Sequence, residues 1–227
     1  MPEGVEVKIS SELIKPLVEG KRVIKVLVGG EGRYKNKDPE GLKEFHNSFR
    51  KLTDMGGHSV DEVRITNVSA KGKFMYWEIS NGWYMFSTFG MTGQWSPTEG
   101  KHVCLEIRLS DEDGTIKHIY FNDPRHFGTV KFVSSRKELL EKLNELGWDP
   151  LSQELKDYLP FIVSEFKKSA MPVAQMLMDQ SIFAGVGNYI RAEALYLAKV
   201  SPWRKCNVMT KDEIEALCKT IIEVMQE

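Results

Sequence analysis

The chain has 227 residues, 41% of them apolar and 28% charged, with a formal net charge of −1. That length holds one large domain or two modest ones, and the balanced charge argues against a strong non-specific nucleic-acid binder while leaving room for a local basic face. No apolar run approaches the ~20 residues of a membrane span, and Cys104, Cys206 and Cys218, odd in number and without CxxC spacing, argue against a disulfide framework or a zinc site and fit a reducing, intracellular compartment.

Met1-Pro2-Glu3-Gly4-Val5-Glu6-Val7 opens the chain with no basic leader or cleavage signature, and reads as functional sequence. Removal of Met1 leaves Pro2 as a secondary amine with an ordinary pKa of about 8. Such an amine attacks a carbonyl-like carbon and forms an obligately cationic iminium, with Glu3 beside it as acid or base. The plain alternative is that Pro, Glu and Gly merely open a helix.

From Glu3 to Glu19, Val5, Ile9, Leu13 and Leu17 recur every fourth residue and predict an amphipathic helix anchored by that stripe, with Pro16 ill placed in its last turns and Gly20 as its stop. Short β-branched and aromatic segments follow at residues 22–28, 60–65, 73–79, 83–89, 103–109, 116–121 and 129–133, several separated by turn residues. Strands in series point to an antiparallel sandwich or barrel. Between the first two, Asp38 to Lys51 predicts a short helix with Leu42, Phe45 and Phe49 inward.

After residue 134 the pattern turns helical. Ser135 to Glu138 reads as a capping box before Leu139, Leu140, Leu143 and Leu146, with Gly147 as the stop. A second box, Thr210 to Glu213, starts a segment carrying Ile214, Leu217, Ile221, Val224 and Met225 on one side. It reaches Glu227 without a stop signal, as if a further element followed. The predicted fold class is α+β: an N-terminal helix on an antiparallel β-sandwich over residues 1–134, a linker helix at 135–150, and an all-α domain at 151–227.

Three stretches carry candidate chemistry. In Ala70-Lys71-Gly72-Lys73-Phe74, lysines meet the start of a strand, ordinarily a solvated strand end. Phe89-Gly90-Met91-Thr92-Gly93 and Phe121-Asn122-Asp123-Pro124-Arg125-His126-Phe127-Gly128 leave aromatic strands as loops. Met91, Arg125 and Phe127 on such tips supply two apolar wedges and a donor fork for a base stack from which a nucleotide has been flipped; the alternative is a tucked turn with Arg125 paired to Asp123. In Leu177-Met178-Asp179-Gln180 through Gly185-Val186-Gly187-Asn188, two glycines precede a helix whose free N–H groups, with Asn188 as a further donor, make a phosphate cradle.

Taken in order, MPEGVEV, KGK at 71–73, FGMTG at 89–93, NDPRHFG at 122–128 and LMDQ…GVGN at 177–188 resemble the Fpg/Nei family, which comprises formamidopyrimidine-DNA glycosylase, endonuclease VIII and Nei-like relatives. The resemblance implies a DNA repair glycosylase whose helical domain holds a helix-two-turns-helix. It implies that Pro2 attacks C1′ of the damaged nucleoside, that Glu3 assists the proton transfers, and that β- and δ-elimination then cut the strand. It places Lys73 on a phosphate and in catalysis, Met91, Arg125 and Phe127 in the vacated stack, Gly187 and Asn188 at a phosphate, and Glu6 in support. The implied partner is damaged DNA, double- or single-stranded, bound by a monomer without cofactor, metal or membrane, in a nucleus, nucleoid or viral replication site.

The chain also departs from the family pattern. Val5 stands for a second proline, Thr88 for a histidine that contacts phosphate, and Ala174 for a lysine found in many bacterial members. The family's C-terminal finger has no counterpart here. Either this is a shortened version of a longer protein or one that clamps DNA otherwise, and a catalytically weak module recognising abasic or single-stranded sites is the competing function. The stretch between Leu159 and Met171 is too small for the long flexible lid of the family's 8-oxoguanine enzymes, which leans toward oxidised pyrimidines and hydantoin-type lesions.

Overall fold

The computed structural model describes residues 2–30, 32–53 and 62–226. Met1 and the expected strand start at Val60 lie outside them. The elements run α1 (Gly4–Val18), β1 (Arg22–Val28), α2 (Leu42–Thr53), β2 (Ile65–Lys71), β3 (Phe74–Ile79), β4 (Tyr84–Thr88), β5 (Gln94–Ser96), β6 (Val103–Ser110), β7 (Ile116–Asn122), β8 (Thr129–Val133), α3 (Arg136–Asn144), α4 (Leu155–Lys168), α5 (Val173–Met176), α6 (Asn188–Leu197) and α7 (Lys211–Gln226). They fall into two compact units: Pro2, Val7–Ala70 and Phe74–Leu140 in one, Glu3–Glu6, Lys71–Lys73 and Glu141–Glu227 in the other.

The first unit holds two four-stranded sheets, β1-β6-β7-β5 and β2-β3-β4-β8. The pairs β1/β6, β6/β7, β5/β7, β3/β4 and β4/β8 are antiparallel. Their inner faces meet where Trp77 of β3 lies 4.9 Å from Trp95 of β5, ring to ring, and Trp95 lies 5.0 Å from Phe121 of β7. The Trp95 indole N–H is satisfied by Ser87 at 3.0 Å, which lets a polar edge sit in the core. α2 closes one end, with Phe45 stacked on Phe132 at 4.8 Å.

α1 buries a different face from the predicted one. Val7, Ser11, Ile14 and Val18 point inward, whereas Ile9, Leu13 and Leu17 are 49%, 66% and 39% exposed. Four-residue steps overshoot a 3.6-residue turn and drift around the helix; the buried set alternates steps of four and three and stays on one side. α1 runs through Pro16, and Gly20, at φ +79°, ends it as expected. β2 begins at Ile65, where the predicted strand ends, and β5 has no predicted counterpart.

The second unit packs α4, α6 and α7 around Trp148, Phe166, Phe183, Ile190, Leu217 and Ile221. The box at Thr210 is reciprocal: Glu213 Oε2 accepts from Thr210 N at 2.8 Å and Thr210 Oγ1 from Glu213 N at 3.2 Å. The box at Ser135 does not form. Its hydroxyl accepts from Lys137 N at 3.2 Å while Glu138 faces Lys131 at 3.9 Å, and of the four leucines of that segment only Leu139 is buried. Residues 159–168 belong to α4, in keeping with the helical pattern expected of this part of the chain.

Candidate functional site

Within the second unit, three distant segments meet backbone to backbone at glycines. The Gly4 N–H donates to Gly185 O at 2.9 Å. A Cβ on Gly4 would lie 2.9 Å from Gly185 Cα, and one on Gly72 would lie 2.6 Å from Gly185 N, so side chains at these positions would pry the segments apart. Asp149, buried, accepts from Gly72 N at 3.1 Å and Ser152 Oγ at 3.0 Å through Oδ2, and from Leu151 N at 3.1 Å through Oδ1. Lys71 donates to the carbonyls of Leu143 and Leu146, at 3.0 and 2.8 Å. It caps the end of α3 and is no solvated strand end.

This junction brings Glu3, Glu6 and Lys73 together with the start of α6. Glu3 is 2% exposed and its carboxylate accepts from Tyr189 N at 3.0 Å and Ile190 N at 3.3 Å. Those are N–H groups expected to be free for a phosphate. Glu3 has taken them, because a buried carboxylate needs donors and the first turn of a helix has donors without partners. The cradle at this helix start is therefore in part an internal site for Glu3. Gly187 serves the same end: a Cβ there would lie 2.2 Å from Glu3 Cδ. Asn188, the first residue of α6, is exposed.

Glu6 accepts from the Glu3 N–H at 2.8 Å with one oxygen and from the Tyr189 hydroxyl at 3.0 Å with the other. Burial, and then the hydrogen bond to Glu6, push the Tyr189 hydroxyl well above its ordinary pKa, so it stays a donor. Burial lowers the pKa of Lys73, with the Glu3 carboxylate opposing in part. Pro2, half-buried, is the residue bonded to Glu3. Tyr189 was not legible in the sequence, since nothing there pairs it with a glutamate so far away.

Met91, Arg125 and Phe127 come together in the first unit. An Arg125 guanidinium N–H donates to the Met91 sulfur at 3.4 Å, and Met91 and Phe127 are exposed. Asp123 does not pair with the guanidinium. Fully buried, it accepts from Thr92 Oγ1 at 2.6 Å, Gly128 N at 2.7 Å and Arg125 N at 3.3 Å, and so ties the two loops to each other. Gly90, at φ +57°, lets the first loop pass the second, since a Cβ there would lie 2.6 Å from Phe127 C. Asp123 thus pairs with the Arg125 backbone and not with its guanidinium, and Thr92 joins it in holding the loops. Thr88 is engaged in a 2.6 Å cross-strand pair with Thr129.

No cluster of His, Cys, Asp or Glu able to hold a metal ion occurs among the described residues, and no helix among them is long and apolar enough to cross a membrane. Cys104, Cys206 and Cys218 are buried and form no disulfide with one another.

Residues 1–130 match the family described as the formamidopyrimidine-DNA glycosylase N-terminal domain, and residues 146–227 the formamidopyrimidine-DNA glycosylase H2TH domain. The formamidopyrimidine-DNA glycosylase of Thermus thermophilus is 31% identical over 229 residues, covering 100% of this chain and 75% of its own. That of Geobacter metallireducens is 31% identical over 232 residues, covering 100% and 79%. The solved structure of the Thermus thermophilus Fpg protein has a TM-score of 0.76 at 29% identity, over 99% of this chain and 75% of that one. Lactococcus lactis formamidopyrimidine-DNA glycosylase, bound to DNA containing an abasic site, shares the fold with a TM-score of 0.78 at 23% identity, over 99% and 80% of the two chains.

Proposed function

The chain belongs to the formamidopyrimidine-DNA glycosylase family and is a base excision repair DNA glycosylase, and from that premise we propose that it couples removal of oxidised bases to abasic-site cleavage through a covalent Pro2 intermediate. The observation that carries this reading is the seating of Glu3. Its carboxylate is buried, bound by two N–H groups of α6, and covalently adjacent to the one residue whose free amine would be secondary.

In this reading the Pro2 nitrogen bonds to C1′ as the glycosidic bond breaks, and the base leaves with a proton. The sugar ring opens when O4′ takes a proton, leaving a Pro2 iminium. Withdrawal of electrons into that iminium acidifies C2′; loss of its proton expels the 3′ phosphate, and a second elimination expels the 5′ phosphate. Glu3 moves the protons at the base and ring oxygen. Glu6 and Tyr189 hold the Glu3 backbone, and Lys73 supplies a partly desolvated cation for a phosphate. Asn188 binds a second phosphate; Gly187 admits Glu3. Met91, Arg125 and Phe127 fill the stack left by the flipped nucleotide, offsetting a cost of a few kcal/mol. The substrate is damaged DNA, double- or single-stranded.

A panel of oligonucleotides carrying oxidised pyrimidines, hydantoins or 8-oxoguanine tests this. Coupled cleavage predicts strand breaks without alkali, with phosphate at both new ends. Breaks that appear only after alkali would mean base removal without lyase chemistry.

A further inference from the structure

A cavity of about 970 Å³ in the second unit lies against α6 and has no part in the site described above. Met178 and Leu195 are among its apolar lining residues, together with Tyr196 and Trp203. These two aromatics are 78% and 80% exposed, large apolar faces with nothing of this unit covering them. The two charged residues of the lining are Arg191 and Lys199, and it contains no carboxylate. Flat, bare aromatic faces beside unopposed cations are the pairing that takes bases and their phosphates.

The groove is also aligned with a phosphate donor. Arg191 and Leu195 follow Asn188 at helical spacing on one face of α6, and Lys199 lies two residues past its end, at φ +54°. Tyr196 stands eight residues after Asn188, about 12 Å along the axis, a span that a strand held at Asn188 covers within a few nucleotides. Ala174, where the resemblance places a lysine, lines the groove with a small side chain and carries no charge into it.

We propose that this groove is a second DNA site, which holds unpaired bases of a single strand stacked on Tyr196 and Trp203 with phosphates on Arg191 and Lys199. The proposal rests on the reading of the protein as a DNA enzyme, and assigns it a hold on single-stranded regions outside the site described above. An acidic peptide with apolar anchors is the other chemistry such a groove could attract.

The test uses the whole chain and a lesion-free oligothymidylate. Trp203 is exposed, whereas Trp77, Trp95 and Trp148 are buried and Trp83 is half-buried, so stacking on Trp203 quenches the most exposed emitter and the Trp203→Phe variant assigns the signal. The expected result is quenching that Trp203→Phe alters, and affinity that falls about tenfold or more in Trp203→Ala and Tyr196→Ala, as for loss of a stacked base. Arg191→Ala and Lys199→Ala should lower the salt dependence of binding. Oligothymidylate affinity unchanged in both aromatic variants overturns the proposal. So does a synthetic Asp/Leu peptide that quenches Trp203 without competition from the oligonucleotide. Excision of a lesion is measured separately on the wild-type chain: its absence would defeat the function proposed above and leave the oligothymidylate result to stand or fall alone.

Discussion

Gly187→Ala isolates the packing of Glu3. Gly187 sits at φ −131° and ψ −156°, extended backbone that alanine adopts without strain, so any effect must come from the added methyl. That methyl would lie 2.2 Å from Glu3 Cδ, 2.3 Å from Oε1 and 2.6 Å from Oε2. The carboxylate must retreat by about 1 Å to reach ordinary contact, and then loses the N–H groups of Tyr189 and Ile190. Hydrogen bonds to a charged group contribute about 1.5–3 kcal/mol each, so the two together predict a loss of about 3 kcal/mol or more in urea unfolding. Displacing a reacting group by about 1 Å costs about 100-fold in excision rate. The decisive comparison is with Glu3→Ala, which empties the space. In that background Gly187→Ala should cost nothing and stabilise by about 0.5 kcal/mol, because alanine restricts the unfolded chain. An equal cost in both backgrounds, or none in the wild type, would refute the reasoning.

Lys73→Met should abolish strand cleavage yet raise stability at pH 7. Burial depresses the Lys73 pKa, so the charged lysine weighs against the folded state at neutral pH; its stability contribution is full above the ordinary lysine value and is lost as pH falls through the folded one. The advantage of the methionine variant over the wild type should therefore shrink as pH rises toward the ordinary lysine pKa of about 10.4, and a constant or growing advantage would contradict the sign. Tyr189→Phe removes the hydroxyl from Glu6 while leaving the Tyr189 N–H on Glu3. It should lower kcat several-fold with a stability change within about 1 kcal/mol, the site being partly exposed. Asp123→Ala strips a fully buried acceptor from two backbone amides and the Thr92 hydroxyl. It should destabilise by about 3 kcal/mol and raise KM for duplex substrates by loosening Arg125 and Phe127, as read by calorimetry and steady-state kinetics.

Where local chemistry alone decides, the sequence was a sufficient guide. β1 and β8 have the bounds that their β-branched runs and flanking turns predict, and the Thr210 box is a three-residue device whose partners are adjacent. β5 escaped because Gln94-Trp95-Ser96 is too short to show a period, and it exists only because β7 pairs with it. The α1 face was misread because its buried side includes Gly4 and Ser11, which apolar patterning skips. The same blindness touched the candidate site. The motif led to Pro2, Glu3, Lys73 and Asn188, but the glycines at 185 and 187 suggested a phosphate, whereas they fit Gly4, Gly72 and the Glu3 carboxylate. A contact between residues 3 and 187 has no signature in one sequence, and only the fold discloses which anion the helix start already holds.

Borohydride reduction during reaction with an abasic-site duplex most directly tests the covalent role of Pro2. The account predicts one trapped adduct that peptide mass spectrometry places on an N-terminal Pro2 after loss of Met1, and that disappears when the Pro2 amine is acetylated or when Met1 is retained. An adduct on Lys71 or Lys73, or one that survives both changes at Pro2, would contradict it.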